Sequence, residues 1–148
     1  MSTYKQIFYH IVFSTKNRKP TISDMYCEEL YKYIWGIINK RKCKLYRING
    51  TKNHIHIFSD LHPSVCLADY VRDIKVNSGI WMKSTNHFPK FSSWQNGYAA
   101  FTYSIKEKDV LINYIKKQKS HHKEENFIDE LKRILLENGV EFEEKYLL

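Results

Sequence analysis

Little in this chain breaks the backbone. Of 148 residues only five are glycine and three proline, which leaves no room for a low-complexity linker. No apolar run approaches the ~20 residues that a bilayer span requires, so no membrane partner is expected. The opening MSTYKQIFYH lacks the long apolar core of a secretory leader. Disorder is excluded as well, because 43% of residues are apolar and 27% charged, an ordinary globular balance. Cysteine is scarce. Cys27, Cys43 and Cys66 are odd in number and show no Cys-x-x-Cys spacing, so they read as reduced thiols in a cytoplasmic setting. What remains is a length suited to one domain, residues 1–148, with one buried core.

The net charge of +8 is uneven. Residues 1–121 carry 20 Lys/Arg against 8 Asp/Glu, and residues 122–148 carry 4 against 8. A basic body points to a polyanionic partner, most simply nucleic acid. The acidic tail is expected to dock on that body or on a second copy of the chain, restraining non-specific binding.

Hydrophobic patterning sets the element order. YKQIFYHIVFS (4–14) is aromatic and β-branched, which predicts a strand buried on both faces. A basic loop, STKNRKP, follows. Apolar residues at helical spacing, from Met25 through Leu30, Tyr33, Ile34, Ile37 and Ile38, predict a helix over 22–42. CKLYRIN and NHIHIFSDL flank Gly50-Thr51 and predict a hairpin. A second helix is expected over 64–84, a loop over 85–96 and a strand over 97–104. Ser104 and Glu107 have capping-box spacing and open a helix to about His122. A last helix covers about 126–138 and stops at Asn138-Gly139. The order β-α-β-β-α-β plus two helices predicts an α+β, ferredoxin-like (RRM-like) sandwich with an antiparallel sheet.

Two stretches can carry chemistry. In NHIHIF, His54 and His56 lie two apart on a strand and share a face, roughly 6.6 Å apart along it. Two such imidazoles can lean toward one metal ion, with Ile55 between them in the core. Exposed surface histidines would be the plainer reading. In LINYIKKQKSHH, Tyr114 and Gln118 lie four apart and share a helical face. His121 and His122 follow as further ligands, phosphate contacts or a solvated helix end. Lys16, Arg18 and Lys19 in the first loop, with Lys75 and Lys83 on the second helix, are candidates for phosphate contacts. Trp94 and Phe91 in the 85–96 loop are candidates for stacking on unpaired bases.

His-hydrophobic-His on a central strand followed by Tyr-x-x-x-Gln on a later helix resembles the single-tyrosine HUH transposases of small bacterial insertion sequences, which have repeat-associated relatives. YHIVFSTKNRKP, FSSWQNGYAAFTYS, YIKKQKSHHKEENF and LLENGVEFEEKYLL resemble that family in the same order, so the likeness covers nearly the whole chain. Asn53 stands where such proteins often carry an acidic residue, Lys117 where they often carry Asn, and Leu148 where an aromatic is common.

The resemblance implies cleavage and rejoining of single-stranded DNA at hairpin-bearing ends. Tyr114 would be the nucleophile, forming a 5′-phosphotyrosine and releasing a 3′-hydroxyl, so that rejoining needs no ATP. His54, His56 and Gln118 would hold one divalent ion, Mg²⁺ or Mn²⁺. It also implies a homodimer. A domesticated relative that processes repeats would share this chemistry. A reading of another class is a non-catalytic single-strand-binding module on a ferredoxin-like sheet, although the RNP1 signature is absent. A structural zinc site lacks a second ligand pair at short spacing.

Overall fold

The structure, a computed structural model, describes residues 2–147; Met1 and Leu148 lie outside the described residues. The elements follow the expected order: β1 (Phe8–Ser14), α1 (Cys27–Lys40), β2 (Leu45–Gly50), β3 (His54–Asp60), α2 (Leu67–Ser84), β4 (Ala99–Thr102), α3 (Lys108–Lys116), α4 (Gln118–His121) and α5 (Phe127–Glu137). The sheet runs β2-β3-β1-β4, and every pairing is antiparallel. This is the ferredoxin-like arrangement, with β1 and β3 in the centre.

Side chains on a strand alternate between the two faces, and the register assigns them. Ile55 faces Phe13, and Ile57 faces Ile11 and Ile48. This aliphatic face packs against α1 and α2 through Leu30, Ile34, Ile38, Val71 and Ile74. The opposite face carries His10, Val12, His54, His56 and Phe58, under α3 and α5. The sheet is therefore covered on both sides, and β3 is buried from His54 through Ser59.

Gly50 shapes the hairpin that presents His54. A Cβ there would lie 2.1 Å from the His54 carbonyl oxygen and 2.9 Å from Ile55 Cα. No side chain can share that space with backbone.

Several boundaries depart from expectation. β1 starts at Phe8 rather than residue 4, and α1 starts at Cys27 rather than residue 22. Met25, placed on the apolar stripe from sequence, lies before the helix and is 79% exposed. The helix expected from 104 to 122 is broken. A 3₁₀ turn at Ile105–Glu107 opens it, with Ser104 and Glu107 forming the capping box. Lys117 (φ −94°, ψ 13°) then separates α3 from α4. At that joint Asn49 Nδ2 on β2 donates to the Lys116 carbonyl at 3.0 Å, taking an acceptor that a continuous helix would use.

The acidic tail lies on its own body. Phe142 and Leu147 pack against the cluster of Val12, Phe101 and Phe127. Arg18 Nη1 donates to the Leu147 carbonyl at 3.2 Å, and Lys132 pairs with Glu144 at 3.2 Å. Among the described residues the three cysteines are free thiols, and no helix is long and apolar enough to cross a membrane.

Candidate active site

The histidine-bearing face of β3 is roofed by α3, α4 and α5, and six side chains converge there. Three imidazoles aim Nε2 at one carboxylate oxygen. Glu130 Oε1 lies 2.9 Å from His122, 3.0 Å from His56 and 3.4 Å from His54. The other oxygen, Oε2, accepts from Gln118 Nε2 at 2.9 Å and from the Tyr114 hydroxyl. Gln118 Oε1 sits 3.2 Å from His54 Nε2. His54, His56, Gln118 and Glu130 are fully buried. Tyr114 and Gln118 thus meet the same carboxylate oxygen, as their four-residue spacing predicts, although the helix bends between them.

The two histidines of β3 are each oriented from behind. His54 Nδ1 lies 2.8 Å from Asn53 Oδ1 and 3.0 Å from Thr51 Oγ1. Asn53 Oδ1 is an acceptor, so His54 carries its proton on Nδ1 and turns a bare Nε2 inward. Here Asn53 fills the outer acceptor role with a neutral amide. On β1, His10 Nε2 lies 2.7 Å from His56 Nδ1.

The electrostatics follow from burial. Burial pushes the His54 pKa down to about 4, with the adjacent Glu130 carboxylate opposing, so His54 is neutral near pH 7. Burial and the neighbouring His56 lower His10. For Glu130, burial favours the neutral acid, but the close approach of the His122, His54 and His56 imidazoles outweighs it and holds the carboxyl far below its usual range. Tyr114 is pushed up by burial and then by the Glu130 charge; Arg133, whose Nη2 donates to the hydroxyl at 2.9 Å, opposes that shift. Arg133 is itself held by Glu125 at 3.0 Å.

This donor set fits a divalent ion. The ligand atoms of His54, His56, His122 and Glu130 lie within 4.8 Å of one another. The bare His54 Nε2 faces Gln118 Oε1 and Glu130 Oε1, three acceptors with no proton to share. A cation among them removes that conflict. Three imidazoles, one carboxylate and one amide oxygen form a mixed N/O set that suits Mg²⁺ or Mn²⁺ and accepts Zn²⁺.

The structure brings together His54, His56, Gln118 and Tyr114. It adds His122, left open from sequence as a further ligand, a phosphate contact or a solvated helix end, and Glu130, which sequence reasoning missed. Glu130 had a signal. Phe127, Leu131, Ile134 and Leu135 form the buried stripe of α5, and residue 130 falls on it. A carboxylate on an apolar stripe calls for buried partners.

The expected DNA contacts fare differently. Lys16 and Lys19 are exposed beside the His54 end of the sheet, where the Thr15 amide donates to the Asn53 carbonyl at 2.9 Å. Arg18 holds the tail as described. Lys75 and Lys83 lie on α2, across the sheet from the histidines. Lys75 Nζ is tied to the carbonyls of Gln95, at 2.7 Å, and Gly97, and burial lowers its pKa to about 8. Trp94 is a correction. It is 8% exposed, edge-on to Phe13, with its indole N–H on Ser78 Oγ at 3.0 Å. Phe91 is likewise in the core. The loop folds onto α2, so neither ring offers a face for a base.

The family model for IS200-like transposases matches residues 3–118. The chain belongs to the IS200-like transposase family. Membership supports a transposase function and a DNA-processing enzyme. A candidate transposase from Deinococcus radiodurans R1 is similar in structure, with a TM-score of 0.61 and 21% identity over 80% of this chain and 95% of that one. A REP-associated tyrosine transposase bound to a REP hairpin is similar too, with a TM-score of 0.60 and 15% identity over 82% and 74%. Both likenesses concern the fold. A comparison with curated proteins finds no match. The family match ends at Gln118, so His122 and Glu130 come from the segment beyond it.

Proposed function

We propose that this IS200-like transposase cleaves and rejoins single-stranded DNA at hairpin-bearing ends through a 5′-phosphotyrosine, with His54, His56, His122, Glu130 and Gln118 as the set from which a divalent ion is held. The observation that carries the reading is the shared carboxylate. Glu130 joins the tyrosine hydroxyl to the metal-ligand cluster, so nucleophile and ion would address one phosphate. The REP hairpin held by the structural neighbour supports hairpin DNA as the partner. Lys16 and Lys19, exposed beside the His54 end of the sheet, supply cations for phosphates. A homodimer is part of the proposal, on the resemblance alone.

In this scheme Tyr114 Oη attacks the phosphorus, the bond to the 3′ oxygen breaks, and that oxygen leaves as a 3′-hydroxyl after taking a proton. The tyrosine proton passes to solvent, from which the leaving 3′ oxygen takes its own, so the step is proton-neutral; Glu130 Oε2 orients the hydroxyl as its hydrogen-bond acceptor. Arg133 stabilises the phenolate with its 2.9 Å hydrogen bond. A divalent ion held by His54, His56, His122, Glu130 and Gln118 would supply Lewis-acid polarisation of the phosphate and offset the Glu130 charge that opposes ionisation of Tyr114. Rejoining runs the same steps backward.

The test is a 5′-labelled or 3′-labelled single-stranded hairpin oligonucleotide, taken from DNA flanking the gene and incubated with Mg²⁺ or Mn²⁺. A covalent adduct mapping to Tyr114, lost in Tyr114→Phe and with chelator, is expected. An adduct that persists in Tyr114→Phe refutes the nucleophile. Binding without cleavage by the wild-type chain favours the non-catalytic module.

A further inference from the structure

The usual outer partner of a metal-ligating histidine is a carboxylate or carbonyl, which only accepts and so fixes one tautomer. Behind His56 stands another histidine. His10 and His56 are 1% and 0% exposed, and their rings lie 5.0 Å apart. The 2.7 Å between His10 Nε2 and His56 Nδ1 admits one proton. The other nitrogen of His10, Nδ1, is buried without a partner, so nothing else dictates which tautomer His10 adopts.

Two arrangements satisfy this geometry. In the first, His10 Nε2–H donates to His56 Nδ1, and His56 Nε2–H donates to Glu130 Oε1 at 3.0 Å. That arrangement suits the site without an ion, because the carboxylate keeps its donor. In the second, His56 Nδ1–H donates to His10 Nε2, and His56 Nε2 is bare. That arrangement is required for ligation through Nε2, since a ligating imidazole nitrogen carries no proton. A carboxylate at position 10 would serve only the second, and an ammonium only the first. Imidazole serves both.

We propose that His10 is a positioning residue for His56, an orienting partner that can donate or accept and so supports His56 in both the metal-free and the metal-bound site. This rests on the reading that His56 ligates the ion. Conversion is proton-neutral. His56 releases its Nε2 proton to solvent and receives one at Nδ1 from His10 Nε2, while His10 takes a proton from solvent at Nδ1.

The experiment is ¹H–¹⁵N NMR of the histidine rings in the full chain, with and without Zn²⁺ as a diamagnetic probe, plus Mn²⁺ titration calorimetry. In the wild type, His56 is expected to carry Nε2–H without metal and Nδ1–H with Zn²⁺, and His10 to move from Nε2–H to Nδ1–H. His10→Phe keeps an aromatic ring but offers no polar atom, and should weaken Mn²⁺ binding about 10–100-fold. His10→Gln, whose amide can also donate or accept, should recover most of it. Unchanged affinity in His10→Phe, or a His10 tautomer that stays fixed as Zn²⁺ binds, overturns the role of His10 while leaving the metal site intact. A wild-type chain that takes up neither ion overturns the site reading itself. If His10→Phe fails to fold, failure of His10→Gln to restore binding in a folded protein decides against the proposal.

Discussion

Replacing Glu130 by alanine tests whether one carboxylate organises the site. The sign is not obvious beforehand, because deleting a buried charge recovers its desolvation cost. The geometry decides it. His122 Nε2 and Gln118 Nε2 at 2.9 Å, His56 Nε2 at 3.0 Å and the Tyr114 hydroxyl all end on this side chain, which has no exposure. Alanine leaves them without an acceptor where water has little access. Each buried orphan costs about 1–3 kcal/mol, and breaking one partner out of a buried charged network costs about 3–5 kcal/mol. At roughly 2–4 °C per kcal/mol for a chain of this size, Tm should fall by about 6–20 °C. Glu130→Gln keeps the volume and an acceptor, and should cost only about 1–2 kcal/mol. Thermal melts followed by circular dichroism, with and without Mn²⁺, separate the two roles. At 100 times Kd a ligand stabilises the wild type by about 2.7 kcal/mol, and both variants should lose most of that gain. An alanine variant melting within about 2 °C of the wild type would refute the organising role. A glutamine variant with the full Mn²⁺ shift would refute the carboxylate as a ligand.

Three further outcomes are expected. His54, held at about 4 in the fold against about 6.5 when unfolded, favours the native state fully above pH 6.5. That contribution, about 3 kcal/mol, is lost as pH falls through 4, and urea melts of His54→Asn should show a flatter pH dependence across this window. Gly50→Ala forces a methyl onto the His54 carbonyl and should destabilise the hairpin by about 3 kcal/mol or more, lowering Mn²⁺ affinity in parallel; an alanine variant with wild-type stability and affinity would show that the turn can relax. Trp94→Ala should cost about 3–5 kcal/mol without a specific loss of single-strand affinity in the folded fraction. A stable variant that no longer binds DNA would restore the stacking role.

The fold was legible because its signals are local and agree. Alternation along NHIHIF, the Gly50-Thr51 turn and the α1 stripe each point to the observed arrangement. The His54 and His56 pair was legible through its spacing on one strand, whereas Tyr114 was marked out by the family resemblance and not by its shared face with Gln118, from which a break at Lys117 separates it. Glu130 was not legible, because its partners lie 8 to 76 positions away in sequence and only the packing of α5 on the sheet brings them together. The misplacement of Trp94 has the same origin. A loop with polar neighbours looks exposed, and the sequence does not announce that 85–96 folds back on α2. The break at Lys117 coincides with a tertiary contact too, the hydrogen bond from Asn49 on another strand to the Lys116 carbonyl.

The two faces of β3 have a consequence for reading relatives. A one-residue slip in its pairing would push the two imidazoles of β3 into the isoleucine layer and turn Ile55 and Ile57 toward the Glu130 carboxylate. Both layers would then be wrong at once. The histidines therefore act as proofreaders of strand pairing as well as candidate ligands. A His-hydrophobic-His pair thus reports on the register of its strand as well as on the chemistry of its site.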